Sequence, residues 1–413
     1  MSANEPATAP AAPAEHGRWR MLALLSICEL LGMSLWFAAN AVAPQLAARW
    51  HLTPAGAAWL TAIVQLGFVA GAAASALLNL ADLIPARRLF AASAVLAALA
   101  NAALVRVPGA GAAFACRFAI GFCLAGVYPP GMKMVATWFR DLRGLAIGTV
   151  VGAITIGKAM PYLVHALPGA SVAVVLLVAS GGAVVAALLA TFGYHDGPFP
   201  FARRPFAWNL VATVVRDRPT RLAILGYLGH MWELYAMWTW LPTFLAAALA
   251  ARAAATAGPP GAGAHLVDLL AFGGIAVGGA GCVWGGWAAA RMGYARVVTW
   301  AMAISGACCV AIGLVYAAPL PVLVAVTWTW GFFVVADSAQ FSAMVTEEAP
   351  SHAVGTALTL QTSAGFLLTM ATIQLVPAIA GAIGWRWAFP VLAIGPAFGI
   401  AAIARLAHRG RAR

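Results

Sequence analysis

Charge is what this chain has least of. Of its 413 residues, 24 are Lys or Arg and 12 are Asp or Glu, so charged residues make up 9% of the sequence. In a typical soluble globular domain the charged share is about a quarter. Together with a hydrophobic share of 63%, this shortage excludes a soluble globular protein and indicates a chain embedded in a lipid bilayer.

Motifs of enzymes and of ATP-driven pumps are missing as well. The sequence contains no H-E-x-x-H or G-x-S-x-G motif and no P-loop of the G-x-x-x-x-G-K-[ST] type. Its six cysteines form no C-x-x-C pair, the spacing typical of metal and redox sites. We therefore predict neither an enzyme nor a bound cofactor, and ATP is not the expected energy source.

What the sequence does contain is twelve apolar stretches. Each has about twenty residues, the length that a helix needs to cross the hydrocarbon core of a bilayer. These predicted spans, numbered 1 to 12, cover approximately residues 20–43, 56–79, 88–107, 112–133, 145–167, 171–193, 221–246, 266–289, 297–317, 320–344, 354–378 and 384–405. The predicted fold class is an all-α membrane protein with twelve transmembrane helices.

Basic residues are distributed unevenly between the gaps that separate the spans. The even-numbered gaps and the two tails hold eighteen of them, whereas the odd-numbered gaps hold four. This positive-inside asymmetry predicts that both termini are cytoplasmic, in a bacterial-type inner membrane. The net charge of +12 forms no continuous stripe, so lipid head groups rather than nucleic acid are its expected partners.

The chain divides into two similar halves. Glu29-Leu30-x-x-Met33-x-x-Trp36 returns as Glu233-Leu234-x-x-Met237-x-x-Trp240, displaced by 204 residues. Because each half holds an even number of spans, the repeats are parallel and related by a pseudo-twofold axis along the membrane normal. The protein is predicted to be a monomer. Its predicted organisation is a disordered tail at 1–17, a six-helix bundle at 18–193, a cytoplasmic linker at 194–220 with a short helix at 207–216, a second six-helix bundle at 221–408 and a basic tail at 409–413.

Loop motifs make the chain resemble the major facilitator superfamily over about residues 18–408. In that family the gap after the second span carries G-x-x-x-D-R-x-G-R-R, and the fourth span carries R-x-x-x-G. Arg117 and Gly121 match the second motif. The gating residues that the resemblance implies lie in the connections after spans 2, 4 and 8, and they are Asp82, Arg87, Arg88, Arg143, Gly144, Arg291 and Gly293.

Departures from the family's patterns narrow the expected substrate. The overall sequence pattern of the chain resembles that of bacterial nitrate and cyanate permeases. However, spans 2 and 8 lack the arginines that nitrate porters have there. The fifth span has Gly148-x-x-x-Gly152-Ala153 where drug antiporters usually have Gly-Pro. The resemblance implies a secondary active transporter that works by alternating access, with spans 1, 4, 7 and 10 lining a central cavity.

Five charged residues lie well inside the apolar stretches, away from their ends, and His230 is a sixth candidate. A charge near the bilayer centre is costly, so it normally faces a cavity or a partner. Four of the charged residues fall one each on spans 1, 4, 7 and 10. The six residues are Glu29, Arg117, Lys158, Glu233, Asp337 and His230.

The acids are candidates for proton coupling. His230 and Glu233 share one helical face, and Glu29 lies on the equivalent face of span 1. A dry site disfavours the charged form of a carboxyl group, which then takes up and releases a proton as the cavity dries and wets. We predict coupling through Glu29, Glu233, His230 and Asp337. The alternative is that Glu29 and Glu233 only tie helices together through hydrogen bonds.

Two buried basic residues favour an anionic substrate. Lys158 and Arg117 offer fixed positive charges, although Arg117 could instead pair with Glu29 or with a backbone carbonyl. The predicted substrate-binding residues are Lys158, Arg117, Asn40, Trp36, Tyr128, Tyr235, Trp240 and Gln361. Several other functions stay open: transport of a zwitterion, drug or cation efflux, a non-transporting membrane sensor, and copper transport through His230, Met33 and Met237.

Overall fold

The computed structural model describes residues 13–78, 80–140, 142–199, 207–255 and 263–410. Within these ranges the chain is helical and contains no strand. The first half contains α1 Pro13–Met33, α2 Ala38–Ala41, α3 Ala43–Arg49, α4 Pro54–Leu77, α5 Leu80–Leu83, α6 Ala86–Ala103, α7 Ala110–Leu124, α8 Tyr128–Ala136, α9 Arg143–His165 and α10 Val172–Gly193.

The linker contains α11 Val211–Arg216. The second half is formed by α12 Arg218–Ala255, α13 Ala264–Ala276, α14 Gly278–Met292, α15 Tyr294–Leu314, α16 Leu320–Ala336, α17 Ser338–Glu348, α18 Val354–Ile383 and α19 Ile394–Gly410. Short 3-10 turns are formed by Ser34–Trp36, Trp208–Leu210, Trp385–Trp387 and Pro390–Ala393.

Eleven helical segments in the described part of the chain are long and apolar enough to cross a membrane. They match eleven of the twelve predicted spans. The span predicted at 88–107 corresponds to α6, which has 18 residues and begins with the exposed side chains of Arg87 and Arg88. Its apolar part is therefore short, and a twelfth span stays a prediction.

Two boundaries of the predicted organisation can be compared with the structure. The first helix begins at Pro13 rather than at residue 18, because proline is favoured in the first turn of a helix. Residues 1–12 of the expected tail, 200–206 of the linker and 411–413 of the basic tail lie outside the described residues. The short helix expected at 207–216 is present as a 3-10 turn followed by α11.

Several of the long segments are interrupted. The first span changes from α-helix to a 3-10 turn at Ser34–Trp36, α7 and α8 are separated at residues 125–127, and Asp337 separates α16 from α17. An interruption frees backbone groups, and inside a bilayer these groups must be satisfied by protein or by water in a cavity. The interruption in the first span is the one that shapes the candidate site.

The two halves of the chain meet through two sets of helices. Helix α9 packs against α13 and α14, and α4 packs against α18. Glycines line the contact between α9 and α14: a Cβ atom added to Gly148 or Gly152 would lie 2.7 Å from a carbonyl oxygen of α14. Small residues of this kind let helix backbones approach closely in a membrane. The halves therefore touch backbone to backbone along this line.

Candidate functional site

Lys158 joins the two halves through aromatic rings. This α9 side chain is buried, and its Nζ donates a hydrogen bond to Tyr235 Oη at 2.5 Å. Nζ also lies 4.6 Å from the ring centre of Trp36, 4.8 Å from that of Tyr235 and 5.2 Å from that of Trp238. A buried cation over aromatic faces is stabilised by about 2 kcal/mol. We call Lys158, Trp36, Tyr235 and Trp238 the lysine cage.

A second group of rings adjoins the lysine cage. The ring centre of Phe366, on α18, lies 5.5 Å from that of Trp36, 5.4 Å from that of Tyr235 and 4.7 Å from that of Phe68. Trp36 and Phe68 come from the first half, and Tyr235 and Phe366 from the second. We call these four residues the aromatic box. Trp36 and Tyr235 belong to both groups, so the cage and the box share one surface.

Arg117, on α7, holds the interrupted part of the first span. Its Nε donates to the carbonyl oxygen of Leu60 at 2.8 Å, while Nη1 donates to that of Leu35 at 3.2 Å and Nη2 to that of Trp36 at 2.7 Å. Nη2 also donates to Asn40 Oδ1 at 3.2 Å. The guanidinium thus bonds carbonyl groups around the 3-10 turn. The sequence analysis left open whether Arg117 pairs with Glu29 or with a backbone carbonyl, and in the structure it pairs with backbone carbonyls.

Glu29, on α1, is fully buried. Neither carboxylate oxygen accepts a hydrogen bond from any residue that the structure describes. Gly131, on α8, lies against the carboxylate, and a Cβ atom at that position would collide with it. A buried carboxyl group without donors strongly favours its neutral form. The geometry therefore suits a group that holds a proton here.

Glu233, on α12, has the opposite environment. Its carboxylate accepts hydrogen bonds from Ser305 Oγ at 3.0 Å and Cys309 Sγ at 3.2 Å, and from Trp330 Nε1. These donors lie on α15 and α16, within the second half. Glu233 is thus directed into the helices of its own half, as in the hydrogen-bonding alternative to proton coupling.

His230 and Asp337 lie together, apart from the lysine cage. His230 Nδ1 is 2.9 Å from Asp337 Oδ1, and both side chains are buried. The imidazole also packs against the rings of Tyr227 and Phe341, with centres 5.9 and 5.6 Å away. The pair therefore joins α12 to the interruption between α16 and α17.

The remaining predicted binding residues are divided between the box and its surroundings. Tyr128 begins α8, with its ring centre 6.4 Å from that of Phe68. Asn40 bonds Arg117 and donates to Thr61 Oγ1. Trp240 donates through Nε1 to the Ile373 carbonyl at 2.8 Å and faces α18.

Gln361, also on α18, is fully buried, and within the described ranges neither atom of its amide has a hydrogen-bond partner. The structure thus brings Lys158, Trp36 and Tyr235 together. It does not bring Trp240 to them.

The residues predicted to gate lie at the ends of helices or between them. Arg291 stacks its guanidinium 4.0 Å above the Trp287 ring centre. Gly293 joins α14 to α15 with a φ of +80°, which favours glycine. Arg143 and Gly144 begin α9, Arg87 and Arg88 begin α6, and the side chain of Asp82 lies outside the described residues.

Sequence reasoning missed a contact at the other ends of α9 and α13. His165 Nδ1 lies 2.8 Å from Asp268 Oδ2, His265 Nδ1 lies 2.9 Å from the Ala166 carbonyl oxygen, and Gln45 reaches His165 at 3.0 Å. We call these side chains the α9–α13 latch. An available signal was Asp268, an acid inside the stretch predicted at 266–289. Trp238 was also missed, although it lies one turn after Tyr235.

The structure offers one observation on metal binding. No group of three or more His, Cys, Asp or Glu side chains that could hold a metal ion occurs among the residues described. His230 Nδ1 lies 2.9 Å from Asp337 Oδ1. The copper hypothesis, which involves Met33 and Met237 as well, stays a prediction.

Comparisons with known proteins agree with the fold. The model of the Major Facilitator Superfamily matches residues 24–267, more than half of the chain, and the chain belongs to that family. A crystal structure of a variant of the nucleoside transporter NupG is similar, with a TM-score of 0.69 and 16% identity over 94% of this chain and 99% of that one. At this identity the likeness concerns the fold alone. Comparison with curated proteins gave no match. The chain is therefore a multi-pass membrane protein with a transporter fold, and the family consists of transporters rather than enzymes.

Proposed function

We propose that this protein is a proton-coupled secondary transporter of a small anion. Two six-helix bundles, one from each half, would rock around the lysine cage and expose it alternately to the two sides of an inner membrane. Both termini would be cytoplasmic, and the monomer would be the functional unit. The observation that carries the proposal is Lys158, a buried cation at the meeting of the two halves.

The contacts of Lys158 favour an anion as its ligand. Its ammonium group is held by aromatic faces and one hydroxyl group, and it forms no ion pair with any carboxylate in the described ranges. An anion would add charge-assisted hydrogen bonds, which are roughly twice as strong as neutral ones. The second buried cation, Arg117, already bonds three carbonyl groups and Asn40. We therefore assign anion binding to Lys158, with Arg117 positioning Trp36.

Glu29 is the best candidate for the coupling proton. In the dry environment of the structure its carboxyl group favours the neutral form, and hydration of the cavity would favour release of the proton. Glu233, His230 and Asp337 would then influence the conformation of the second half or relay protons within it. This assignment rests on the contrast between the unpartnered Glu29 and the hydrogen-bonded Glu233.

Binding and transport assays can test the proposal on the purified full chain. Thermal stabilisation by nitrate, cyanate, acetate and benzoate would be measured for wild type, Lys158→Met and Lys158→Arg, with choline and uridine as cationic and neutral comparisons. We expect stabilisation by at least one anion, lost in Lys158→Met and altered in Lys158→Arg. Lys133→Met changes the other lysine of the chain and is the control.

Uptake separates a transporter from a sensor. Proteoliposomes would be loaded with and without a pH gradient, using the anion that stabilises the protein best. Accumulation that follows the pH gradient supports the proposal. Stabilisation without any uptake favours the sensor, and stabilisation by choline or uridine alone contradicts anion transport.

A further inference from the structure

We propose that the anion carried by this protein is an aromatic carboxylate, with its carboxylate at Lys158 and its ring in the aromatic box. This inference deepens the proposed function and rests on it. It names the chemical class of the solute from the side chains that surround the lysine.

The four rings of the aromatic box pack against one another, with Phe366 in contact with the other three. Phe366 has three aromatic neighbours within 5.5 Å, measured between ring centres. Such distances fall in the range of favourable offset and tilted ring contacts. The box is built by both halves, since Trp36 and Phe68 face Tyr235 and Phe366 across the interface. Because the rings are in contact in this structure, a phenyl group would enter between them as the two halves move apart, and it would then touch both halves.

The positions of Trp36 and Tyr235 connect the ring site to the charge site. Both rings lie within 5 Å of Lys158 Nζ, and both also pack against Phe366. A carboxylate bound to Lys158 would thus have its substituent on the same two aromatic surfaces. A ring attached directly to the carboxylate fits this juxtaposition, whereas a long or strongly polar substituent does not.

Unpartnered donors strengthen the choice of a carboxylate. The indole Nε1 atoms of Trp36 and Trp238 are buried, and neither has an acceptor among the residues described. An indole N–H can only donate, and buried donors normally have partners. A carboxylate has two oxygens with several acceptor sites. Lys158 Nζ and these two unpartnered N–H groups are all donors, and donors are the partners that a carboxylate needs.

Three probes separate the ring from the charge. Benzoate carries both features, cyclohexanecarboxylate has the charge with a saturated ring, and benzyl alcohol has the ring without the charge. Dissociation constants would be measured on the purified full chain. We expect benzoate to bind at least tenfold more tightly than either of the other two, and Lys158→Met to reduce benzoate binding to the level of benzyl alcohol.

A pair of phenylalanine variants tests the box itself. Phe366→Leu keeps an apolar side chain but removes the ring, so the preference for benzoate over cyclohexanecarboxylate should fall to less than threefold, while cyclohexanecarboxylate still binds. Phe122→Leu is the control, because Phe122 is exposed on the outer face of α7 and should leave the preference unchanged. Equal loss of preference in both variants would contradict a specific role for Phe366.

The outcomes distinguish this inference from the proposed function. If wild type binds benzoate and cyclohexanecarboxylate equally, and both depend on Lys158, the aromatic class is wrong and anion binding stands. If benzyl alcohol binds as tightly as benzoate, the ring site exists without the charge site and the inference is overturned. If no carboxylate binds in a manner that depends on Lys158, the proposed function fails and the inference fails with it.

Discussion

Glu29 and Glu233 correspond in the repeat that relates the two halves of the sequence, yet Glu233 accepts three hydrogen bonds and Glu29 accepts none from the residues described. The repeat that relates the two sequences predicted equivalent roles for these acids. Their surroundings differ because Ser305, Cys309 and Trp330 supply donors to one, whereas Gly131 supplies only space to the other. The two acids should therefore respond differently to the same substitution.

Replacing the ionisable carboxyl group of Glu29 should uncouple transport from the proton gradient. Glu29→Gln keeps the shape of the side chain but cannot bind and release a proton, so we expect accumulation driven by a pH gradient to fall at least tenfold while downhill exchange continues. Glu233→Gln places an amide among three donors and should chiefly lower thermal stability. Uptake into proteoliposomes and melting curves measure the two effects. Full accumulation by Glu29→Gln would exclude it as the proton carrier.

Arg117 should be needed for stability more than for charge. Arg117→Met removes the charged donor from the carbonyl oxygens of Leu35, Leu60 and Trp36, and each hydrogen bond to a charged group contributes about 1.5–3 kcal/mol. We expect a loss of at least 3 kcal/mol in the free energy of unfolding, measured in detergent. Arg49→Met is the control, since this exposed residue donates to one carbonyl group and should change stability by less than about 0.5 kcal/mol. An equally stable Arg117→Met would contradict the positioning role.

The α9–α13 latch should favour the conformation seen in the structure. Asp268→Asn weakens the contact with His165 by removing a charge, so the halves should separate more often at this end. Spin labels at the exposed positions Leu167 and Leu269 would report longer distances. Asp196→Asn, which changes an exposed acid at the other end of the first half, should not affect that distance. An unchanged distribution in Asp268→Asn would show that the latch does not hold the halves.

A side chain added between α9 and α14 should disturb the approach of the two halves. A Cβ atom at Gly152 would lie 2.7 Å from the Gly279 carbonyl oxygen, whereas one at Gly181 on α10 would have nothing within 4 Å. We expect Gly152→Val to lower both melting temperature and uptake rate, and Gly181→Val to change neither measurably. Equal effects of the two substitutions would point to helix propensity rather than contact.

Cysteine labelling tests the orientation in the membrane. In a cysteine-free variant, a cysteine introduced at Leu83 should react from the cytoplasmic side, and one at Leu167 from the opposite side. Both positions are exposed. Labelling of both from the same side would contradict the predicted topology.

Hydropathy and charge were sufficient to predict most of the fold, but not the site. Runs of apolar residues determine where helices cross a bilayer, so eleven predicted spans have matching helices. The sequence also predicted that Lys158 and Glu29 lie within the membrane-spanning helices, because isolated charged residues stand out in long apolar stretches. The contacts of Arg117 could not be predicted, because nothing in the local sequence shows that the first helix changes to a 3-10 turn at Ser34–Trp36.

The aromatic box could not be predicted for a different reason. Trp36 and Phe366 are brought together by the contact of the two halves, and a pattern along one helix carries no information about a ring more than three hundred residues away. Trp238 was within reach, because it shares a helical face with Tyr235. Periodicity therefore finds neighbours on one helix, and tertiary packing decides which of them meet the other half.

The hydrogen bonds of Arg117 to the first span mark a difference between the two copies of the six-helix repeat. Residues 321–328, the part of the second copy that corresponds to Arg117 in the first, contain no arginine, and α12 continues without interruption from Arg218 to Ala255. An unbroken helix satisfies its own carbonyl groups, so the second copy has no need of a buried arginine at that point.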